Sequence, residues 1–401
     1  MEDETINSKK IDFIICTNDE IYMKECRFYI DSLYIPEGYS VGIIEVTDAK
    51  SMTEGYNRAM HASDAKYKIY IHQDCFIIYR NFLADLLQAF SRNDKLGLVG
   101  VVGTKHLEKD ELIWDSLNAG GCISVGTFAE YGSLCVKRDV KLTREKVEFL
   151  DGMLIATSYD RDWNERIEGF HFYDVSRCLD AMQDGYEMEV LPQEDYYLFH
   201  DFGPLNLETY NKNHVKFCNV YPEFKHDSEI YSDDTTIYSM SETIADALMK
   251  LWDQRSMDRV EALIKEVDNA IFMNQTLLDA YFFLEIEKIE TITGVPLHTH
   301  LLQKDMEFDE LRERFLKLRF LMFRIYFGYA SIDELCMWLK NGSCSIIPII
   351  ILVLHALPYD DYDFQIELGR KMETEGALRD GEWRRNLEFV NDFESRNMPK
   401  L

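Results

Sequence analysis

The run from Ile69 to Ile78 is apolar and β-branched, yet it carries His72, Gln73 and Asp74 in a row. An imidazole and a carboxylate at i and i+2 can converge on one point where a strand ends and the chain turns. Imidazole nitrogen with carboxylate oxygen suits Mn2+, and oxygen alone suits Mg2+. The chemistry open to His72 and Asp74 is therefore to hold a divalent cation. A motif this short is weak evidence, and by spacing alone a buried aspartate bonding loop amides is the stronger reading. The chain has no G-x-x-x-x-G-K-[ST], no G-x-G-x-x-G, no G-x-S-x-G and no H-E-x-x-H. The phosphate loops of ATPases and dinucleotide enzymes are thus missing, as are the easiest hydrolase and zinc-protease signatures.

The elements around this triplet alternate. Ile11 to Cys16 predicts a buried strand, and Tyr22, Cys26, Tyr29, Ile30 and Leu33 recur at helical spacing. Pro36-Glu37-Gly38 reads as a turn and Val41 to Val46 as a second strand. Ser51-x-x-Glu54 is a capping box opening a helix to about Ala62. Tyr67 to Ile71 is a third strand, Phe82 to Phe90 a helix and Leu96 to Val102 a fourth strand. This order predicts an α/β fold with a doubly wound, mostly parallel sheet. In such sheets ligands bind beyond the carboxyl ends of the strands, which is where His72-Gln73-Asp74 falls. Further on, Gly120, Gly121, Gly126 and Gly132 punctuate short strands or loops, Glu148 to Ala156 resumes a strand, and a helix through Phe172, Val175, Leu179 and Met182 ends near Gly185. Beyond about residue 230 the strand signals stop. Ser239-x-x-Glu242 and Ser331-x-x-Glu334 read as capping boxes, and helical stretches run over 257–272, 277–292, 308–327, 332–339, 346–357, 364–375 and 383–393. The organisation expected is a domain over 1–225, a boundary within 222–238 and an all-helical domain over 238–401.

Bulk properties narrow the classes. The chain has 401 residues and a net charge of −29, so it is a poor general binder of nucleic acid or of anionic membrane. Nine cysteines without a C-x-x-C pair read as reduced thiols in a cytoplasmic protein. The polar start MEDETINSKK lacks a signal peptide's apolar stretch. The longest apolar run, Ile346 to Leu357, contains Pro348 and His355 and is too short to span a bilayer.

Several pieces then occur in a familiar order. Ile11-Asp-Phe-Ile-Ile-Cys-Thr-Asn18, Ser51-Met-Thr-Glu-Gly-Tyr-Asn57 with Ala59, Ile71-His-Gln-Asp-Cys75, Phe170-His-Phe-Tyr-Asp-Val-Ser-Arg-Cys178 and His200 follow one another along the chain. Over roughly residues 10–220 this resembles the family 2 glycosyltransferases of GT-A fold, and most of all the branch typified by a streptomycin-biosynthesis protein. His-Gln-Asp sits where that family carries Asp-x-Asp, and the branch tolerates the change. Tyr173 and Ser176 stand where many members have acidic residues.

The resemblance implies a metal-dependent, inverting transfer of a sugar from a nucleotide-sugar donor to a hydroxyl on a glycan, protein or metabolite. It implies Mn2+ or Mg2+ held by Asp74 with His72 and His200, and Asp174 as the base that takes the acceptor proton. Donor contacts fall to Thr17, Asn18, Glu45, Asp48, Asn57 and Gln73. Acceptor or sugar contacts fall to Asp151, Gly152, Trp163, Glu165 and His171. Plain alternatives stand beside these. Asp174 is also what a helix N-terminus favours, Asp151-Gly152 is also a turn, Trp163 packs as readily as it stacks on a sugar, and His171 is more simply structural. The helical half shows no catalytic motif. Leu311, Phe315, Leu318, Met322 and Ile325 form a packing face, and the functional option is an acceptor-gripping or homo-oligomerising module. Two rival functions remain: a degenerate glycosyltransferase-like scaffold, and a nucleotidyltransferase using an NTP.

Overall fold

The computed structural model describes residues 6–105, 119–121, 123–125, 145–193, 196–201, 203, 207–224, 235–266, 274–302, 306–355 and 362–397. Gly126, Gly132 and most of the predicted interdomain stretch lie outside these residues. Along the chain come β1 (Asn7–Cys16), α1 (Glu20–Asp31), β2 (Ser40–Val46), α2 (Met52–His61), β3 (Ala65–Ile71), β4 (Cys75–Ile77), α3 (Phe82–Arg92), β5 (Leu96–Gly100) and β6 (Val102–Thr104). Then follow β7 (Ala119–Gly121), β8 (Ile123–Val125), β9 (Glu145–Val147), β10 (Phe149–Leu150), β11 (Leu154–Thr157), α4 (Tyr173–Gln183), β12 (Glu187–Val190), β13 (Leu198–His200) and α5 (Leu207–Val220). These form one compact unit.

Its central sheet has seven strands in the order β2-β1-β3-β11-β5-β12-β9. Pairing is parallel for β2–β1, β1–β3 and β5–β12, and antiparallel on both sides of β11 and between β12 and β9. The strands β2, β1, β3, β5 and β12 therefore share a direction, and β11 and β9 reverse it. Consecutive residues Phe13, Ile14 and Ile15 are all fully buried, so both faces of the sheet are covered. Burying each such side chain stabilises the fold by about 1.5–3 kcal/mol. Helix α2 packs on β1 and β2, α3 on β5, and α4 on β10, β5 and β12.

Local chemistry sets the helix ends. Asp19 caps α1 by accepting from the N–H groups of Ile21 and Tyr22, and Ser51 caps α2 by accepting from Glu54 N–H at 3.1 Å. The Pro36 turn closes with Tyr39 N–H on Pro36 O and Gly38 at φ +78°. The structure departs from expectation at two places in this unit. The strand foreseen over 148–156 is broken into β10 and β11, because Asp151 Oδ1 accepts from Met153 N–H and turns the chain there. Helix α5 was not foreseen: its buried stripe is Tyr210, Asn213, Phe217 and Cys218, too aromatic and polar to stand out as an apolar period.

A second compact unit holds α6 (Thr235–Asp253), α7 (Met257–Glu266), α8 (Gln275–Thr293), α9 (Phe308–Tyr326), α10 (Ile332–Lys340), α11 (Ile346–His355), α12 (Tyr362–Thr374) and α13 (Glu382–Asn397). It has no strand among its described residues. Helix α6 begins at Thr235, so Ser239 lies inside it and not at its cap. Ser331 does cap α10, accepting from Asp333 N–H. Gly294 ends α8 at φ +69°, a left-handed conformation that favours glycine. No described helix is long and apolar enough to cross a membrane.

Candidate active site

Strand β3 ends at Ile71, and the next three residues turn into β4 with Cys75 N–H on His72 O. Strand β4 pairs antiparallel with β13 in a register that sets Cys75 opposite His200. Asp201 N–H then donates to Asp74 O at 2.9 Å. Residues far apart in sequence are thus brought together: one donor atom from each of His72, Asp74, Cys75 and His200 lies within 4.8 Å of the others. His200 Nε2 is 3.5 Å from Asp74 Oδ1, and His72 Nδ1 is 4.0 Å from the same oxygen. Burial pushes Asp74 up, but His200, His72 and a backbone hydrogen bond together hold the carboxyl below its ordinary range. Burial likewise pushes His200 down, and Asp74, with Asp151 and Asp201, more than reverses this. Burial takes His72 down to about 4, so its imidazole is neutral and able to ligate near neutral pH. Two imidazoles and a carboxylate in one partly buried corner fit a divalent transition-metal ion.

The other half of the site comes from β11. Because β11 runs antiparallel beside β3, with Leu154 opposite Ile71, its entry turn lies against the exit of β3. His72 N–H donates to Met153 O at 3.1 Å. In that turn Gly152 makes two bonds. Its N–H donates to Asp174 Oδ2 at 3.0 Å, and its carbonyl accepts from the Tyr173 hydroxyl at 3.1 Å. The Tyr173 hydroxyl also meets His72 Nε2. Gly152 therefore links the carboxylate at the start of α4 to the corner formed by His72, Asp74 and His200. A Cβ on Gly152 would collide with the Tyr173 hydroxyl, which is why this position takes glycine. Asp174 also accepts from Val175 N–H at 2.9 Å. Burial, with Asp151 beside it, raises Asp174 to about 7. The residue before the helix, Phe172, has φ +64°, and its ring is held among Tyr210, His214 and Phe217 of α5.

The remaining candidates divide. Gln73 turns back: its Oε1 accepts from Thr17 Oγ1, Asn18 N–H and Asp19 N–H, and its Nε2 donates to Asn18 Oδ1. Thr17, Asn18 and Gln73 thus form one cluster at the end of β1. Glu45 and Asp48 line a cleft of about 190 Å³ with Thr47 and Arg58 at the end of β2. Their carboxylates are paired, Glu45 with Arg27 and Asp48 with Arg58. Asn57 is buried, and its amide brackets the backbone of Trp163, accepting at 2.7 Å and donating at 3.0 Å; it also donates to Glu165. Of the two readings of Trp163, the structure takes packing: at 2% exposure, among Tyr56, Tyr70 and Tyr173, it has no face for a sugar. His171 stacks edgewise on Tyr210. Two residues escaped sequence reasoning. Cys75 enters the donor cluster only through the β4–β13 register, which no local signal encodes. Tyr173 was visible as a departure from the family pattern, but its hydroxyl's position was not.

Residues 12–221 match the family model described as "Glycosyltransferase like family", which is more than half of the chain. The chain belongs to this family. It is a glycosyltransferase. Among solved structures, this glycosyltransferase is similar to residues 1–349 of S. aureus TarS in complex with UDP, at 13% identity and TM-score 0.35, covering 72% of this chain and 93% of that one. A second structure of S. aureus TarS 1–349 shows 12% identity and TM-score 0.32, covering 78% of this chain and 91% of that one. The A197 protein from STIV shows 10% identity and TM-score 0.27, covering 47% and 83%. No curated protein matches the sequence significantly.

Proposed function

We propose that this glycosyltransferase is metal-dependent and inverting, with Asp174 as its base and His72, Asp74 and His200 as ligands to a Mn2+ or Mg2+ ion. The observation that carries the reading is the backbone of Gly152, whose N–H bonds Asp174 and whose carbonyl bonds Tyr173 and, through it, His72. It sets a proton acceptor beside the corner where a diphosphate is to be held. When bound, the ion supplies Lewis-acid stabilisation to the departing diphosphate.

The chain's own residues do the rest. Asp174, poised near neutral pH, takes the proton of the acceptor hydroxyl as that oxygen attacks the anomeric carbon. Attack from the side away from the diphosphate inverts that carbon. The loop clamped by Gln73 and the cleft at Glu45 and Asp48 receive the nucleoside. Asp151 and Gly152 border the acceptor side, with Glu165 and His171 near its edge. The acceptor is a sugar-bearing molecule or a protein. The streptomycin-type branch is supported by the His-Gln-Asp triplet, and a cytoplasmic setting by nine cysteines without a C-x-x-C pair, which read as reduced thiols.

The test is a thermal-shift panel of UDP, GDP, CDP and dTDP and their common sugars, with and without Mn2+, followed by transfer assays. Asp74→Ala should abolish the metal-dependent shift, because ligand binding to the native state raises its melting temperature. Asp174→Asn should keep the shift and lose transfer by about 100-fold or more. Normal transfer by Asp174→Asn would show that another group is the base.

A further inference from the structure

The hydroxyl of Tyr173 has one proton and meets both Gly152 O and His72 Nε2. Gly152 O, at 3.1 Å, is a carbonyl and only accepts. The hydroxyl must therefore donate to Gly152, and its oxygen is left to accept from His72 Nε2. Proton accounting then fixes the tautomer of His72: Nε2 carries the hydrogen and Nδ1 carries the lone pair. Nδ1 is the ring atom that faces Asp74, 4.0 Å from Oδ1. The carboxylate's other histidine neighbour, His200, approaches through Nε2 at 3.5 Å. Both imidazoles thus face the same carboxylate oxygen. Tyr173 itself is held on every side. It is buried against Tyr56 and Trp163, and the bare Cα of Gly152 allows its hydroxyl to come close.

We propose that Tyr173 is a positioning residue that locks His72 with Nδ1 toward the ion, and that the resulting set of two imidazoles and one carboxylate makes the site take Mn2+ in preference to Mg2+. The inference rests on the metal-dependent reading above and goes beyond it by naming the ion class and the residue that selects it. An outer hydrogen bond to a metal-ligating histidine sets its ring orientation and tautomer, and its loss typically costs 10–100-fold in metal affinity. Mg2+ is oxygen-loving and keeps its waters, so it gains little from an imidazole; Mn2+ accepts one readily. Three protein donors leave coordination positions open for diphosphate oxygens, as a donor site requires. Two of the three positions where the sequence departs from the family pattern, His72 and Tyr173, are in contact with each other.

Binding of Mn2+ alone and of Mg2+ alone to the full-length chain tests this, by calorimetric titration and by the nitrogen coupling in the spin-echo spectrum of bound Mn2+. The wild type should bind Mn2+ at least tenfold more tightly than Mg2+. Tyr173→Phe should weaken Mn2+ by about tenfold or more, reduce the nitrogen coupling and leave Mg2+ affinity unchanged. In a His72→Ala background, Tyr173→Phe should have no further effect on Mn2+, which separates positioning from a general loss of fold. Cys75→Ser should leave Mn2+ affinity as it is. The proposal is overturned by equal loss of both ions in Tyr173→Phe, by additive effects in the double variant, by no Mn2+ binding to the wild type, or by a Mn2+ affinity that depends on Cys75 and not on Tyr173. Sugar transfer undiminished by a chelator would remove the metal reading and this inference together, while glycosyl transfer itself would stand. Transfer supported by Mn2+ but indifferent to Tyr173 would sink this inference alone.

Discussion

A carboxylic acid is a good base near neutral pH only if its surroundings lift its pKa. Asp174 is lifted to about 7 by burial first and by Asp151 second. The base must be ionised to accept a proton, so transfer should rise with pH and reach half its plateau near pH 7. Asp151→Asn removes the neighbouring charge and keeps an oxygen for Met153 N–H, so the rise should move to lower pH; a pH–rate profile of the two proteins reads this directly. Gln73 is a second residue whose effect is local. Its side chain bonds Thr17, Asn18 and Asp19, and each such bond contributes about 1 kcal/mol net. Gln73→Ala should raise the dissociation constant for nucleoside diphosphate by about tenfold, seen by titration, with a smaller effect on the transfer rate once donor is saturating.

The elements matter through where they end. The β10–β11 turn exists because Asp151 bonds Met153 N–H and Gly152 lets Tyr173 approach. Gly152→Ala puts a methyl against the Tyr173 hydroxyl and strains the bond to His72. It should lower transfer by at least tenfold and destabilise the fold by about 1–3 kcal/mol, the usual cost of overpacking; transfer rates and urea unfolding check the two halves of this. At this scale the sequence was partly legible. Strands β1 to β3 announce themselves as apolar runs, and Ser51 and Ser331 as caps, because these signals are local. Helix α5 and the split of 148–156 were not legible. One has a stripe of aromatic and polar residues, and the other turns on a single side-chain bond inside an apolar run.

At the scale of the whole molecule, the chain carries −29 in net charge yet buries several acids among its helices. Burial raises Asp279 to about 6, Glu285 to about 7 and Glu290 to about 7. A carboxyl whose folded pKa lies above its unfolded value binds its proton more tightly when folded. Its contribution is full below the unfolded pKa and is lost as pH rises through the folded one. These three groups therefore favour the fold at pH 5 over pH 8. Glu290→Gln keeps an oxygen for the Ser345 hydroxyl, which donates to Glu290 at 2.6 Å, and removes the ionisation. The variant should lose part of the wild type's decline in melting temperature between pH 5 and pH 8. Equal pH slopes for the two proteins would mean that Glu290 does not ionise in that range.

Sequence alone determined what is local: strands, most helices, the acidic balance, and a polar triplet at the end of a strand, where an α/β sheet offers its ligand sites. The order of the quoted motifs was enough to point to the family. Only the tertiary structure decided which residues meet. The antiparallel strand β11 carries Asp151 and Gly152 to His72, and the pairing of β4 with β13 carries His200 to Asp74. It also turned Trp163 inward and joined Tyr173 to His72. Strand register and hydrogen-bond partners across 100 residues depend on how the whole sheet closes its core. No short window of sequence holds that information.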